Sequence, residues 1–227
     1  MKRSLDKGLG EVKAQLIQMA GYLEEGVKYS TLAWKNRSRE MIDKVNQIEA
    51  KVNQAHMDVD AACFKLLATQ QPLASDLRFL LSVVKINTDL ERMADQAVNI
   101  ANNTEFYLKH PPYPDLADLI KMSEIVRELV KSAIDSFINS DASLAKKVLD
   151  DDDQVDQLKD RVFKNALESI KMKTTDVEQG LNVILIARNL ERIGDHATNI
   201  AEDVIFSISG KDIRHSHTRD KGGPNEK

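Results

Sequence analysis

The segment Leu90-Glu91-Arg92-Met93-Ala94-Asp95-Gln96-Ala97-Val98-Asn99-Ile100-Ala101 returns one hundred residues later as Leu190-Glu191-Arg192-Ile193-Gly194-Asp195-His196-Ala197-Thr198-Asn199-Ile200-Ala201, with eight of twelve positions identical. Such a chain folds as two copies of one unit, and self-similarity of this kind constrains the fold before any single element does. Repeated Leu and Ala follow from a duplicated scaffold. A repeated pair of like charges four residues apart does not, and it marks a candidate site.

The repeat runs well beyond the motif. At the same offset of 100, Leu81, Val83, Val84 and Ile86 match Leu181, Val183, Ile184 and Ile186. Upstream the best offset is 110, matching Asp43, Val45, Ile48 and Val52 to Asp153, Val155, Leu158 and Val162. The change of offset places a longer connection in the first copy near Gln70-Gln71-Pro72. The expected organisation is a first unit over 1–109, a proline-rich joint over 110–114, a second unit over 115–208 and a polar, mobile tail over 209–227. Three of the five prolines lie at Pro111, Pro112 and Pro114. Proline has no N–H and restricts the residue before it, so no helix crosses that joint.

Nine glycines in 227 residues, none between Gly26 and Gly180, favour long helices over sheets. Helices are expected near 5–34, 37–69, 73–108, 115–140, 142–172 and 175–208. Pro72 suits the approach to the third. Ser140 or Asp141 can cap the fifth, and Thr174 or Thr175 with Glu178 resembles a capping box before the last. Three long helices per unit predict an all-α fold of two tandem three-helix bundles. A net charge of −4 argues against nucleic acid as a partner. The single Cys63 fits a reducing cytosol. No secretory leader and no stretch approaching the ~20 apolar residues of a membrane span is expected.

On a helical projection Leu73, Leu77, Leu80, Val84 and Val98 cluster in direction, and Glu91 and Asp95 share their bearing. In the last helix Val177, Leu181 and Ile184 set the bearing, with Asp195 and Asn199 on it and Glu191 at its edge. The acids are therefore expected at the core-facing stripe or its rim. Like charges at i, i+4 repel, and partial burial sharpens the repulsion unless cations answer it. Arg92, Arg188 and Arg192 are one answer, in a purely structural ion-pair network. Metal is the other: Glu91, Asp95 and Asn99, and Glu191, Asp195 and Asn199, line two turns of each helix with oxygen donors, a set suited to hard cations or iron. Asp43 and Asn46, matched by Asp153 and Asp156, can complete each site from a neighbouring helix, or serve as solvated acids near helix starts. His196 stands where the first copy has Gln96, so the duplicated site does not require it. Ala94, Ala97, Ala101, Gly194, Ala197 and Ala201 are read as small residues that admit a neighbouring helix.

The doubled Leu-Glu-Arg-Met/Ile-Ala/Gly-Asp-x-Ala-x-Asn-Ile-Ala segment, the tandem three-helix units and the length together resemble the PhoU family, accessory proteins of high-affinity phosphate transport, over nearly all of the chain up to about residue 208. The resemblance implies a cytoplasmic homodimer that negatively regulates phosphate uptake and phosphate-starvation signalling, acting between the ATPase subunit of a phosphate ABC transporter and a membrane sensor histidine kinase. It also implies metal ions (iron, zinc, manganese or magnesium), in multinuclear clusters in some members, held by Glu91 and Asp95 in one site and by Glu191 and Asp195 in the other. Gln96 opposite His196 leaves the two sites unequal.

Two other readings stand beside this one. A metal-binding or purely structural helical scaffold is compatible with the same residues. A di-iron enzyme requires Glu-x-x-His on its helices, whereas Glu91 and Glu191 are followed three residues on by Ala94 and Gly194. No phosphate-binding glycine loop, nucleophile–base pair or redox cysteine motif points to catalysis.

Overall fold

A computed structural model describes residues 4–213 and contains seven helices and no strand among them. They are α1 (Ser4–Lys35), α2 (Arg39–Gln70), α3 (Ala74–Tyr107), α4 (Ala117–Asn139), α5 (Ala142–Asp151), α6 (Asp153–Lys171) and α7 (Val177–Ser209). The first unit is α1–α3. The second is α4–α7, with the predicted fifth helix broken at Asp152 into α5 and α6. At the offset of 110, α6 alone aligns with α2, and α5 falls on the end of α1 and its turn. The second unit thus uses a short helix and a break where the first uses the tight turn Asn36–Ser38. The expected mobile tail falls mostly on 214–227, outside the described residues. Before them, Ile213 packs against the core.

The helix ends have identifiable causes. The backbone is left-handed at Arg37, Gln71, Ser140 and Lys173, each with φ between 43° and 56°, which ends the preceding helix and turns the chain. Gly210, at φ 70°, closes α7 with its N–H on the Phe206 carbonyl, a conformation that glycine adopts without steric cost. Asp141 caps α5 by accepting from the N–H groups of Ser143 and Leu144 at 2.9 and 3.0 Å. The predicted capping box before α7 is corrected: the cap is Asp176, which accepts from Gln179 N at 2.7 Å. Thr175 is one residue too early, and its hydroxyl bonds the Gln179 side chain instead.

The proline-bearing joint is held from both units. Arg37 donates to the carbonyls of Leu108 and His110 at 3.1 and 2.6 Å and lies over the Tyr107 ring. From the other side His110 meets Asp176 at 2.9 Å, and the Gln179 amide donates to the Pro111 carbonyl. Carbonyls that cannot pair within a helix thus find donors from α7 and from the α1–α2 turn.

One continuous core runs through both units, from Leu16, Met19, Leu23 and Trp34 of α1 to Leu190, Ile193 and Ile200 of α7. The buried stripe of α3 is Leu80, Val83, Ile86, Leu90, Met93, Ala97 and Ile100, recurring at the helical spacing. This corrects the bearing read from the sequence. Leu73 is 73 % and Leu77 39 % exposed, and Val177 and Leu181 are 56 % and 50 % exposed. These residues sit in the first turns of α3 and α7, at the end of the bundle. A projection weighted by them points to the flank of the helix rather than to its centre. Replacing Leu90, which is 1 % exposed, by Ala should cost about 2–5 kcal/mol, read as a lowered denaturation midpoint with unchanged slope.

Candidate functional site

The two copies of the motif meet along α3 and α7. Ser82 donates to the Asp203 carbonyl at 3.2 Å, and His196 Nδ1 lies 2.8 Å from Asp89 Oδ1. As one number rises the other falls, so the helices are antiparallel, and the start of each motif lies level with the middle of the other. Lys85 Nζ adds a bond to Asp203 Oδ1 at 3.0 Å, and Asn199 Nδ2 approaches Asp89 at 3.3 Å. Asp89 and Asp203 are almost wholly buried, so each depends on the side chains that bond it in place of water.

The repeated acids do not point into this seam. Glu91 and Glu191 are half-buried, while Asp95, Asn99, Asp195 and Asn199 are exposed. They occupy the rim, where Asp95 faces Glu49 of α2 and Glu191 faces Lys159 of α6, while Asn199 also reaches across to Asp89. Partial loss of water raises the Asp95 carboxyl above its ordinary value, and the charge of Glu49 on α2 raises it further. Glu49 itself accepts from the Asn53 amide at 2.6 Å. Glu91 has no ion pair among the described residues, so the predicted partner Arg92 does not answer it.

In the second unit the answer comes from a residue the sequence reading missed. Lys159 of α6 places Nζ 2.9 Å from Asp156 Oδ1 and 3.0 Å from Glu191 Oε1. Burial alone would lower the Lys159 ammonium, but its bonds to the two carboxylates and their charges outweigh this and hold it well above its ordinary value. Asp195 is raised by burial first, then by Glu191 and Asp156, with His196 and Lys159 opposing. Neither Arg188 nor Arg192 makes an ion pair among the described residues. The signal that identifies Lys159 was present in the chain: at the offset of 110 it stands opposite Glu49, a reversal of charge beside each motif.

The remaining sequence-predicted residues lie apart. Asp43 and Asp153 are exposed near the starts of α2 and α6, and Asn46 is exposed. Asp156 joins its site through Lys159. Gly194 admits a neighbour as expected, but that neighbour is the helix break: a Cβ there would come 3.0 Å from Asp152 Oδ1. No three His, Cys, Asp or Glu side chains among the described residues converge tightly enough to hold a metal ion. As donors the two motifs differ. Glu91, Asp95 and Asn99, with Glu49 opposite, offer oxygens and no cation. Around Glu191 the position is taken by an ammonium, and those residues do not fit a metal while it stays there.

The geometry defines a class of protein: an all-helical duplication whose two acid motifs lie on the flanks of a shared antiparallel helix pair. The PhoU domain matches residues 16–104 and again 119–204, and the chain belongs to the PhoU family. It is 34 % identical over 218 residues to a phosphate-specific transport system accessory protein PhoU homolog of Aquifex aeolicus, covering 96 % of this chain and 99 % of that one. The corresponding protein of Pseudomonas putida is 34 % identical over 212 residues, covering 91 % and 81 %. The crystal structure of PhoU from Pseudomonas aeruginosa superposes with a TM-score of 0.88 at 31 % identity, covering 92 % of this chain and all of that one. A phosphate transport system regulatory protein PhoU from Streptococcus pneumoniae shares the fold, with a TM-score of 0.85 at 24 % identity.

A raised carboxyl has a signed consequence for stability. The folded chain holds the Asp195 proton more tightly than the unfolded chain does, so ionising Asp195 in the fold is unfavourable at neutral pH. That cost disappears as the pH falls below the ordinary carboxylate value of 3.8. In metal-free protein Asp195→Asn should raise thermal stability at pH 7 by less than about 1 kcal/mol, because the group is exposed and screened. The gain should shrink towards zero on acidification, as followed by thermal melts from pH 7 to pH 3. A loss of stability at pH 7 would mean that the carboxylate is held by something other than the groups described.

Proposed function

We propose that this protein is a cytoplasmic, non-catalytic negative regulator of phosphate uptake and phosphate-starvation signalling, working as a homodimer. It acts by contact with the ATPase subunit of a phosphate ABC transporter and with a membrane sensor histidine kinase. The observation that carries this is family membership over nearly the whole chain, with relatives named as accessory proteins of phosphate-specific transport. Two features of the molecule support it. No helix among the described residues is long and apolar enough to cross a membrane, which accords with contact made from outside the bilayer. Leu81 and Leu181, at matched positions in the two units, are 44 % and 50 % exposed, and Leu77 and Val177 repeat the pattern. Paired exposed apolar positions of this kind supply contact area for a protein partner. The di-iron reading stands less well with this one, because Ala94 and Gly194 occupy the sequence positions where that chemistry needs histidine.

Metal belongs to the same proposal. Glu91, Asp95 and Asn99 would supply oxygen donors to iron, zinc, manganese or magnesium, with Glu49 on the facing helix. A bound cation would leave positive charge on an otherwise acidic flank and reverse its preference for anionic groups.

Deleting the gene should derepress phosphate uptake under phosphate-replete conditions, measured as labelled phosphate accumulation. Repression as strong as in the parent strain would rule out the regulatory reading. Glu91→Gln/Asp95→Asn protein should keep its helical content by circular dichroism and lose metal by elemental analysis. Unfolding of that variant would instead assign the pair a structural role.

A further inference from the structure

The two motifs share eight of twelve positions, yet a residue of the helix facing each reverses its charge between the copies. On α2 the residue facing the first motif is Glu49, whose charge acts on Asp95. On α6 the matched residue is Lys159, bonded to Asp156 and Glu191 at 2.9 and 3.0 Å. Its side chain is 29 % exposed and that of Glu191 22 %, so the pair is partly shielded from water. There the Coulomb interaction is several times stronger than between charges in bulk solvent. A metal ion approaching Glu191 and Asp195 meets an ammonium already seated between two carboxylates. To bind, the ion must either break both bonds or stand within a few ångströms of a like charge. The first motif has no such occupant: Glu91 is without an ion pair among the described residues, and the charge that acts on Asp95 is another carboxylate, Glu49.

Resting on the metal reading of the preceding section, we infer that Lys159 is a built-in counter-cation that closes the second acidic motif to metal, so that metal uptake belongs to the first unit alone. Duplication then yields one flank whose charge is fixed by the chain and one whose charge depends on an external ion. The tethered ammonium donates directional hydrogen bonds and holds one charge. An ion at the first motif carries two or more and leaves with a change in concentration.

The full chain, stripped of metal and dialysed against manganese(II) chloride, provides the test, with bound manganese read by elemental analysis and by the loss of the free-ion EPR signal. Four backgrounds are compared: parent, Glu91→Gln/Asp95→Asn, Glu191→Gln/Asp195→Asn, and Lys159→Glu, which reproduces Glu49 at the matched position. Lys159→Gln, similar in length and neutral, stands in if the glutamate variant does not fold. Parent uptake should vanish in Glu91→Gln/Asp95→Asn and persist in Glu191→Gln/Asp195→Asn. Either folded Lys159 variant should gain manganese with affinity raised about tenfold or more, the scale expected on removing a like charge near the ion. The gain should disappear when Glu191→Gln/Asp195→Asn is added. Loss of manganese in Glu191→Gln/Asp195→Asn with Lys159 intact would overturn the inference, as would no gain in either folded Lys159 variant. A parent that binds no manganese, beside a Lys159→Glu variant that does so through Glu191 and Asp195, would uphold the role of Lys159 and refute metal binding by the first unit.

Discussion

The antiparallel packing of α3 against α7 is the contact on which the rest of the molecule depends. Each unit leaves one long helix with apolar side chains on two faces. Leu90, Met93, Ala97 and Ile100 lie buried on α3, and Leu190, Ile193, Ala197 and Ile200 on α7. Small residues among them let the backbones approach and let one core run through both units. The apolar area removed from water along two helices of more than thirty residues is a large favourable term for an all-helical chain. Either unit alone would expose part of it. The seam is also where buried charge is accepted, at Asp89 with His196 and at Asp203 with Lys85. Removing the partner strands a buried carboxylate without water, which destabilises the fold.

The seam relates the two copies by an approximate two-fold, and the duplication is not kept evenly across it. Asp89 faces His196, but their counterparts are Asn189 and Gln96. Lys85 faces Asp203, but their counterparts are Leu185 and Asn103. Both aspartate pairs therefore lie on one side of the axis, and neutral residues on the other. Apolar positions along the seam cannot diverge in this way, because a change of volume in a close-packed interior costs stability in either copy. Charged positions can diverge, provided that each buried ion retains a partner. Glu49 and Lys159 follow the same rule on the flanks, where the constraint is weaker and the difference in charge is larger.

How much of this was legible in the sequence depends on whether the cause was local. Helix limits were readable within two or three residues wherever a single residue sets them, as at the prolines of the joint, at Asp141 and at Gly210. The break at Asp152 was not, since nothing in Asp151-Asp152-Asp153-Gln154 forbids a helix; the chain bends there to pack Asp152 against Gly194. The acid motif was found because it is repeated, but its environment was misjudged. The projection gave weight to Leu73, Leu77, Val177 and Leu181, apolar residues that the end of the bundle leaves uncovered. A helical wheel treats every turn alike, while a real helix is covered only along the length that its neighbours reach. The cation opposite Glu191 was sought on the same helix, at Arg188 and Arg192, because spacing within a helix can be read directly. Lys159 lies thirty-two positions away, and only comparison of the two copies would have singled it out.

A duplicated fold offers a regulator two related surfaces on one rigid core. Two copies of one unit present two flanks of related shape, so shape alone separates partners poorly between them. Charge can, because complementary potential governs approach and suppresses wrong pairings more than it sets affinity. In the second unit a lysine is bonded into the acidic flank, and its charge persists across the physiological pH range since its bonds to Asp156 and Glu191 resist deprotonation. In the first unit Glu49 adds to the negative field instead. The shared core thus holds two surfaces of like form at a fixed separation, and their difference in potential is set by a handful of rim residues whose replacement leaves the packing between α3 and α7 untouched.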